Sequence, residues 1–206
     1  MTVNDEIIFI DNNSSDNSGG IIEEISRRNS IPVVLLSEKK QGAGAARNTG
    51  ISAAKGKYIA FVDVDDELPA NRFSILVDFM EKHKDYDMVF GKTLRVDVDR
   101  MLAPFLKCSG DIDPFKTGEI AVPHFDSAPH LCSFVFRRGF LSAKNILYPE
   151  DLLFGQDLFF LVNTLFQATK VYYLDELVYL YKRREASTTN IVKRTQDGNY
   201  NYFFLY

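Results

Sequence analysis

Apolar and polar positions follow one another in short blocks along the first half of the chain. Ile7–Ile10 is an apolar run that ends in Asp11-Asn12-Asn13-Ser14-Ser15-Asp16-Asn17-Ser18, a dense turn and capping sequence. Ile21, Ile22 and Ile25 then share one helical face, with Arg27 and Arg28 near the end where positive charge suits the helix dipole. Val33–Leu36 is a second strand. Ala45 to Lys55 is a helix rich in small residues and stopped by Gly56, and Tyr58–Val62 is a third strand. Phe73, Leu76, Val77 and Met80 keep the i, i+3, i+4, i+7 spacing of a third helix, which Pro69 opens. Met88–Phe90 is a fourth strand. Continuous apolar strands alternating with helices predict an α/β fold: a Rossmann-like, mostly parallel sheet with helices on both faces.

The second half is less regular. Leu94, Val96 and Val98 alternate with polar residues and read as a half-exposed strand. Residues 100–130 hold Pro104, Pro114, Pro123 and Pro129 and read mostly as loop, a variable acceptor region. His124 and His130 fall here with no zinc-helix spacing, which reads as loop or surface histidines. Ser133–Phe136 is a short strand followed by Arg137-Arg138. YPEDLLFGQDLFFLVNTLFQ, residues 148–167, ends in a helix with Leu158, Leu161, Val162, Leu165 and Phe166 inside and Asp157 in its first turn. Tyr172–Tyr181 brings two strand-like segments, YKRREASTTN is basic and then hydroxyl-rich, and the tail GNYNYFFLY is aromatic. Residues 1–91 and 92–206 thus read as two halves of one domain.

FVDVDDELP, residues 61–69, carries the first candidate chemistry. An apolar run stops abruptly at Asp63, Asp65, Asp66 and Glu67. Unpaired charges cannot continue into a buried sheet, so the strand ends where the acids begin. That puts Asp63 and Asp65 at the carboxyl end of a strand, the ligand edge of an open α/β sheet. Asp-x-Asp there suits Mg²⁺ or Mn²⁺, which takes oxygen ligands and shares them with substrate phosphates. A solvated acidic loop is the alternative. Asp11 follows another strand and faces the same edge, so Asp11 to Asn13 are candidates to read a base and ribose by hydrogen bonds. Gly42-x-Gly44 in QGAGAARNTG lacks the third glycine and preceding strand of a dinucleotide fingerprint. It reads better as a small-residue helix start, with Arg47 and Asn48 aimed at a ligand, or as close packing with Arg47 paired to an acid.

Composition narrows the classes. The chain has 206 residues and a net charge of −4, so it lacks the basic field of a nucleic-acid binder. Cys108 and Cys132 are the only cysteines and form no C-x-x-C pair, which fits a reducing compartment without a zinc site. The first apolar run is short for a signal peptide, and no stretch is long enough to span a membrane.

IIFIDNNSSDNS followed by GAGAARNTGISAAKGKYIAFVDVDDEL resembles the nucleotide-binding half of family-two glycosyltransferases of the GT-A fold. Those carry Val-Asp-Asp-Gly-Ser-Thr-Asp-x-Ser, then Ala-Arg-Asn-x-Gly, then Phe-Leu-Asp-x-Asp-Asp. The resemblance covers residues 7 to about 90 well and continues more weakly to about 190. It implies that Asp11 contacts the base, that Arg47 sits by the nucleotide, and that Asp63 and Asp65 meet ribose, diphosphate and metal. Asn12 and Asn13 stand where the family has Asp-Gly. YPEDLLFGQDLFF is similar to the family's Glu-Asp pair, with Gln156 for Glu and Asp157 as the base; Glu150-Asp151 falls too early. Arg183 or Arg184 would meet the leaving diphosphate, with a solvated basic turn as the alternative.

The resemblance implies a metal-dependent, inverting transferase with a UDP-type nucleotide-diphosphate sugar as donor and a sugar or lipid-linked acceptor. The expected location is cytoplasmic or peripheral at the inner membrane face. A catalytically weak nucleotide-sugar-binding protein and a metal-dependent nucleotide hydrolase are the competing classes. Family members begin with a further strand, loop and helix before the segment matching Ile7–Asp11. The sheet should therefore have an open inner position, covered by a homo-oligomer or by sequence upstream.

Overall fold

Two apolar tripeptides, Met88-Val89-Phe90 and Phe134-Val135-Phe136, organise the interior, since every one of the six is at most 1% exposed. The computed structural model describes residues 5–28, 30–96, 99–102, 106, 108–114, 128–152 and 155–182. Within it the strands are β1 (Ile7–Asp11), β2 (Val33–Ser37), β3 (Tyr58–Ile59), β4 (Met88–Arg95), β5 (Arg100–Met101), β6 (Gly110–Ile112), β7 (Phe134–Arg137) and β8 (Val171–Tyr181). The helices are α1 (Ser18–Arg28), α2 (Ala43–Ala53), α3 (Arg72–Lys82), α4 (Arg138–Ala143) and α5 (Gln156–Gln167).

The main sheet runs β3-β7-β4-β8-β6, with β5 added to β4. Successive strand residues point to opposite faces, and the two faces bury different sets. Met88, Phe90, Phe134 and Phe136 pack with Phe140 and Leu141 of α4 and Phe160, Leu161 and Leu165 of α5. Val89 and Val135 pack with Leu76 and Met80 of α3 and with Val178 and Tyr179. Helices on both faces are thus observed. The two longest ladders, β1–β2 and β4–β8, are parallel, and the short ones are antiparallel. The 91/92 boundary falls inside β4.

β1 and β2 form a two-stranded sheet of their own, and no ladder joins β1 to β3 among the described residues. Neither strand has a fully buried residue. The expected face of α1 is also loose: Ile21 and Ile25 are 54% and 38% exposed.

Other expectations need correction. The third strand stops at Ile59, because Ala60–Val62 leave the ladder on the way to the acidic turn. Pro69 is not the first helical residue: its carbonyl accepts the Arg72 amide (3.1 Å), closing a turn before α3. The 100–130 segment contributes β5 and β6. Ser133 belongs to a 3₁₀ turn, Leu131–Ser133, rather than to the strand that follows. Tyr172–Tyr181 is one continuous strand. Asp175-Glu176 only bulges it, because the register shifts opposite Gly91 and Lys92, where Lys92 pairs with Asp175 at 2.8 Å. Val98, His124, Arg183, Arg184 and the aromatic tail lie outside the described residues.

The bulge depends on glycine. A Cβ on Gly91 would sit 2.7 Å from the Glu176 carbonyl oxygen and 2.8 Å from a Val178 methyl. Both atoms belong to the packed β8 strand and cannot swing aside. Gly91→Ala should therefore cost about 1–3 kcal/mol, the range for an overpacked core, measured by chemical denaturation. An unchanged midpoint would mean that β8 can shift at no cost.

Candidate active site

The site forms where β3 exits into the acidic turn. Phe61 leaves the strand and packs edge-on against Tyr148 (5.6 Å between ring centroids) and Phe160 (5.7 Å). Tyr148 stacks on Phe160 at 4.1 Å. This aromatic cluster fixes the turn beside the start of α5, so Asp63 and Asp157 approach one another from distant parts of the chain.

Arg47 joins them. From α2 its NH2 donates to Asp63 Oδ1 (2.8 Å) and its NH1 to Asp157 Oδ1 (2.5 Å), while the guanidinium lies 5.4 Å from the Tyr148 ring centroid. Burial alone would depress the Arg47 pKa, but Asp157 and Asp63 outweigh it and hold the guanidinium charged above its ordinary range. Asp157 keeps some solvent contact at its tip. Even so, enclosure by protein pushes its carboxyl above the usual aspartate value, Arg47 opposes the rise and Asp63 adds to it. The α5 N-cap is Gly155, in the left-handed region at φ 74, so Asp157 is not the capping residue. Asp151 is 98% exposed and meets Lys40 at 3.2 Å.

Asn48 is not aimed at a ligand. It is buried, donates Nδ2 to the Tyr148 carbonyl (3.0 Å) and Glu150 Oε1 (2.9 Å), and accepts the Tyr148 amide on Oδ1 (2.8 Å). It clamps the 148–150 loop that carries the Arg47 platform.

At the β1 end, Asp11 Oδ1 accepts the Ser14 amide (3.0 Å) and shapes its own turn. Asn12 spans to the next loop: Nδ2 donates to the Glu38 and Lys40 carbonyls (2.8 and 2.7 Å), and Oδ1 accepts the Gly42 amide (2.7 Å). Gly42 precedes α2 with φ 133, a backbone state that favours glycine. Asn13, left-handed at φ 63, donates to the Lys39 carbonyl (2.9 Å) and Gln41 Oε1 (3.3 Å). The two asparagines thus hold the loop that launches α2 and Arg47.

The acidic turn is tied to the end of β8. Glu67 and Leu180 exchange backbone hydrogen bonds (3.2 and 3.0 Å). Tyr179 donates its hydroxyl to Asp66 Oδ2 (2.7 Å) and accepts the Asp63 amide (3.3 Å), and the Lys182 amide donates to Asp66 Oδ1 (2.8 Å). Burial, with Asp63 and Asp65 close by, raises the Asp66 carboxyl. Val64 is 94% exposed, and Asp65 is half-buried beside it.

His130 also reaches this turn and is not a surface histidine. Its ring stacks on Tyr179 (5.0 Å) and Tyr181 (4.7 Å), and burial lowers its pKa to about 4. Asp63, Asp66 and His130 each present one ligand atom within 4.8 Å of the others. That spread and those donors fit a divalent cation. The proline-rich surroundings of His130 gave no sequence signal, since the contacts that matter come from β8 and the acidic turn.

The Glycosyl transferase family 2 profile matches residues 2–142. The chain belongs to glycosyl transferase family 2. Over 94 residues it is 42% identical to glycosyltransferase GlyG of Streptococcus pneumoniae, covering 46% of this chain and 31% of the relative. Over 90 residues it is 33% identical to a Campylobacter jejuni GalNAc(5)-diNAcBac-PP-undecaprenol β-1,3-glucosyltransferase, covering 43% and 28%. The matched part of this chain thus spans about a third of these relatives. Staphylococcus aureus TarS 1–349 in complex with UDP-GlcNAc superposes with a TM-score of 0.74 at 21% identity, over 88% of this chain and 50% of TarS. That likeness makes the fold GT-A. Among the described residues no helix is long and apolar enough to cross a membrane.

Proposed function

We propose that this family-two chain moves a sugar from a nucleotide-diphosphate donor of UDP type to an acceptor hydroxyl, with inversion at the anomeric carbon. One observation carries the reading: a single guanidinium, Arg47, holds Asp63 and Asp157 together at the carboxyl end of β3. One carboxylate lies at the donor turn and the other at the acceptor-side helix, so a sugar between them would meet both. Asp157 takes the proton from the acceptor hydroxyl as that oxygen bonds to the anomeric carbon. The bond from that carbon to the diphosphate oxygen breaks on the opposite face. Asp11 and Asn13 flank the base and ribose, and Arg47 lies beside the diphosphate. Asp63, with Asp65 or Asp66 of the same acidic turn, would hold Mg²⁺ or Mn²⁺, which when bound neutralises charge on the leaving diphosphate. The lipid-linked substrate in the name of the Campylobacter relative supports a sugar or lipid-linked acceptor. It equally supports work at a membrane face.

Thermal shift with UDP in EDTA and in Mn²⁺ tests the donor site, and labelled donor tests transfer. UDP should raise Tm only with the cation present, and label should move to acceptor. Equal stabilisation in EDTA would remove the metal from the reading. Stabilisation without any transfer would favour a nucleotide-sugar-binding protein, and split nucleotide alone a hydrolase.

A further inference from the structure

We propose that His130 is a direct ligand of the divalent cation, completing a two-carboxylate, one-imidazole site with Asp63 and Asp66. Three observations carry this. First, the ligand atoms of these three side chains converge within 4.8 Å, and Asp65 is not in that group. Second, His130 Nδ1 is sealed from solvent and has no hydrogen-bond partner among the described residues. A buried imidazole nitrogen left unpaired costs free energy comparable to a lost hydrogen bond, and a bound cation removes that cost from a ring nitrogen. Third, the site is held rigidly from outside. The ring stacks on both Tyr179 and Tyr181. The 3₁₀ turn that follows is pinned by fully buried Arg72, whose NH2 donates to the Cys132 carbonyl. Asp66 is oriented by the Tyr179 hydroxyl and the Lys182 amide, an outer layer of the kind that aims metal ligands.

The donor set has a consequence for metal choice. Mg²⁺ and Ca²⁺ prefer all-oxygen sites, whereas Mn²⁺ and later transition ions accept imidazole. The site should therefore take Mn²⁺ in preference to Mg²⁺. Its role in catalysis rests on the transferase reading, but its existence does not, and it is tested without donor.

The test uses the full chain with Mn²⁺ alone. Mn²⁺ binding is followed by the loss of the free-ion electron paramagnetic resonance signal, and the bound ion is probed by electron spin echo modulation. The wild type should show modulation from a directly bound ¹⁴N nucleus. His130→Gln should abolish it and weaken Mn²⁺ binding about tenfold or more, on the scale by which even outer-layer changes weaken metal sites. Mg²⁺ should compete poorly in the wild type. Should His130→Gln fail to fold, the wild-type echo still decides, because ¹⁵N-histidine labelling must change the modulation pattern. Absence of Mn²⁺ binding, or bound Mn²⁺ without nitrogen modulation, overturns the proposal. So does loss of binding in Asp65→Ala with unchanged binding in His130→Gln. Intact Mn²⁺ binding with no sugar transfer would instead count against the transferase reading.

Discussion

Replacing Asp157 with asparagine should leave the protein folded and able to bind donor, yet slow transfer by about a hundredfold or more, the scale of lost general-base catalysis. Stability should change little because Gly155, not Asp157, caps α5, and an asparagine oxygen can still accept from Arg47. Asp151→Asn is the control: it is 98% exposed, pairs with Lys40, and should leave turnover near normal. The pH profile adds an independent reading. Enclosure lifts the Asp157 carboxyl above the ordinary aspartate value despite Arg47. The acidic limb of kcat should therefore fall above that value in the wild type and vanish in Asp157→Asn. Comparable losses in the two variants would place the base elsewhere.

Arg47→Met should have the largest effect on stability. It removes a guanidinium shared by Asp63 and Asp157 and leaves the two carboxylates without it. We expect a loss of about 1.5–3 kcal/mol, the range for hydrogen bonds to charged groups. Larger costs belong to fully buried pairs, but here the two acids remain 31% and 45% exposed and solvent screens part of the repulsion. The sign of the pH dependence follows from Asp157. Its carboxyl is raised in the folded state, so the stability it contributes is full below the ordinary aspartate value and is lost as pH rises through the elevated one. Arg47 limits that rise. Without it the window moves upward, and Arg47→Met should regain stability on acidification from neutral pH. Denaturation midpoints at several pH values check this; a variant that weakens further on acidification would contradict it.

Much of this site was legible in the sequence because its parts sit at element boundaries. Charge cannot enter a buried strand, so Asp63 marks the turn beyond the third strand, although the ladder already ends at Ile59, and a helix start after a glycine turn marks Asp157. Arg47 was ambiguous between ligand and acid pairing, and in the structure it pairs with two acids. What the sequence hid is what long-range packing decides. Asn48 looked ligand-facing, but the Tyr148 backbone claims it. His130 reads as a loop or surface residue, but its ring stacks on Tyr179 and Tyr181 of β8. The single long β8 looked like two segments because Asp175 and Glu176 interrupt its apolar pattern. Gly91 opposite them makes room for the bulge that keeps one ladder.

The division of the sheet bears on how donor recognition is driven. β1, β2 and α1 contain no fully buried residue, whereas β4 and β7 lie at the centre of both apolar layers. Segments with little buried apolar surface open at a free energy well below that of global unfolding. Among the described residues, the β1–β2 wall, where the proposed function puts the base, therefore opens more readily than the carboxylate wall. A nucleotide bound as proposed would bridge the two and spend part of its affinity on ordering the softer wall. Donor binding would then double as a local folding step, with slowed amide exchange in β1 and β2 as its signature.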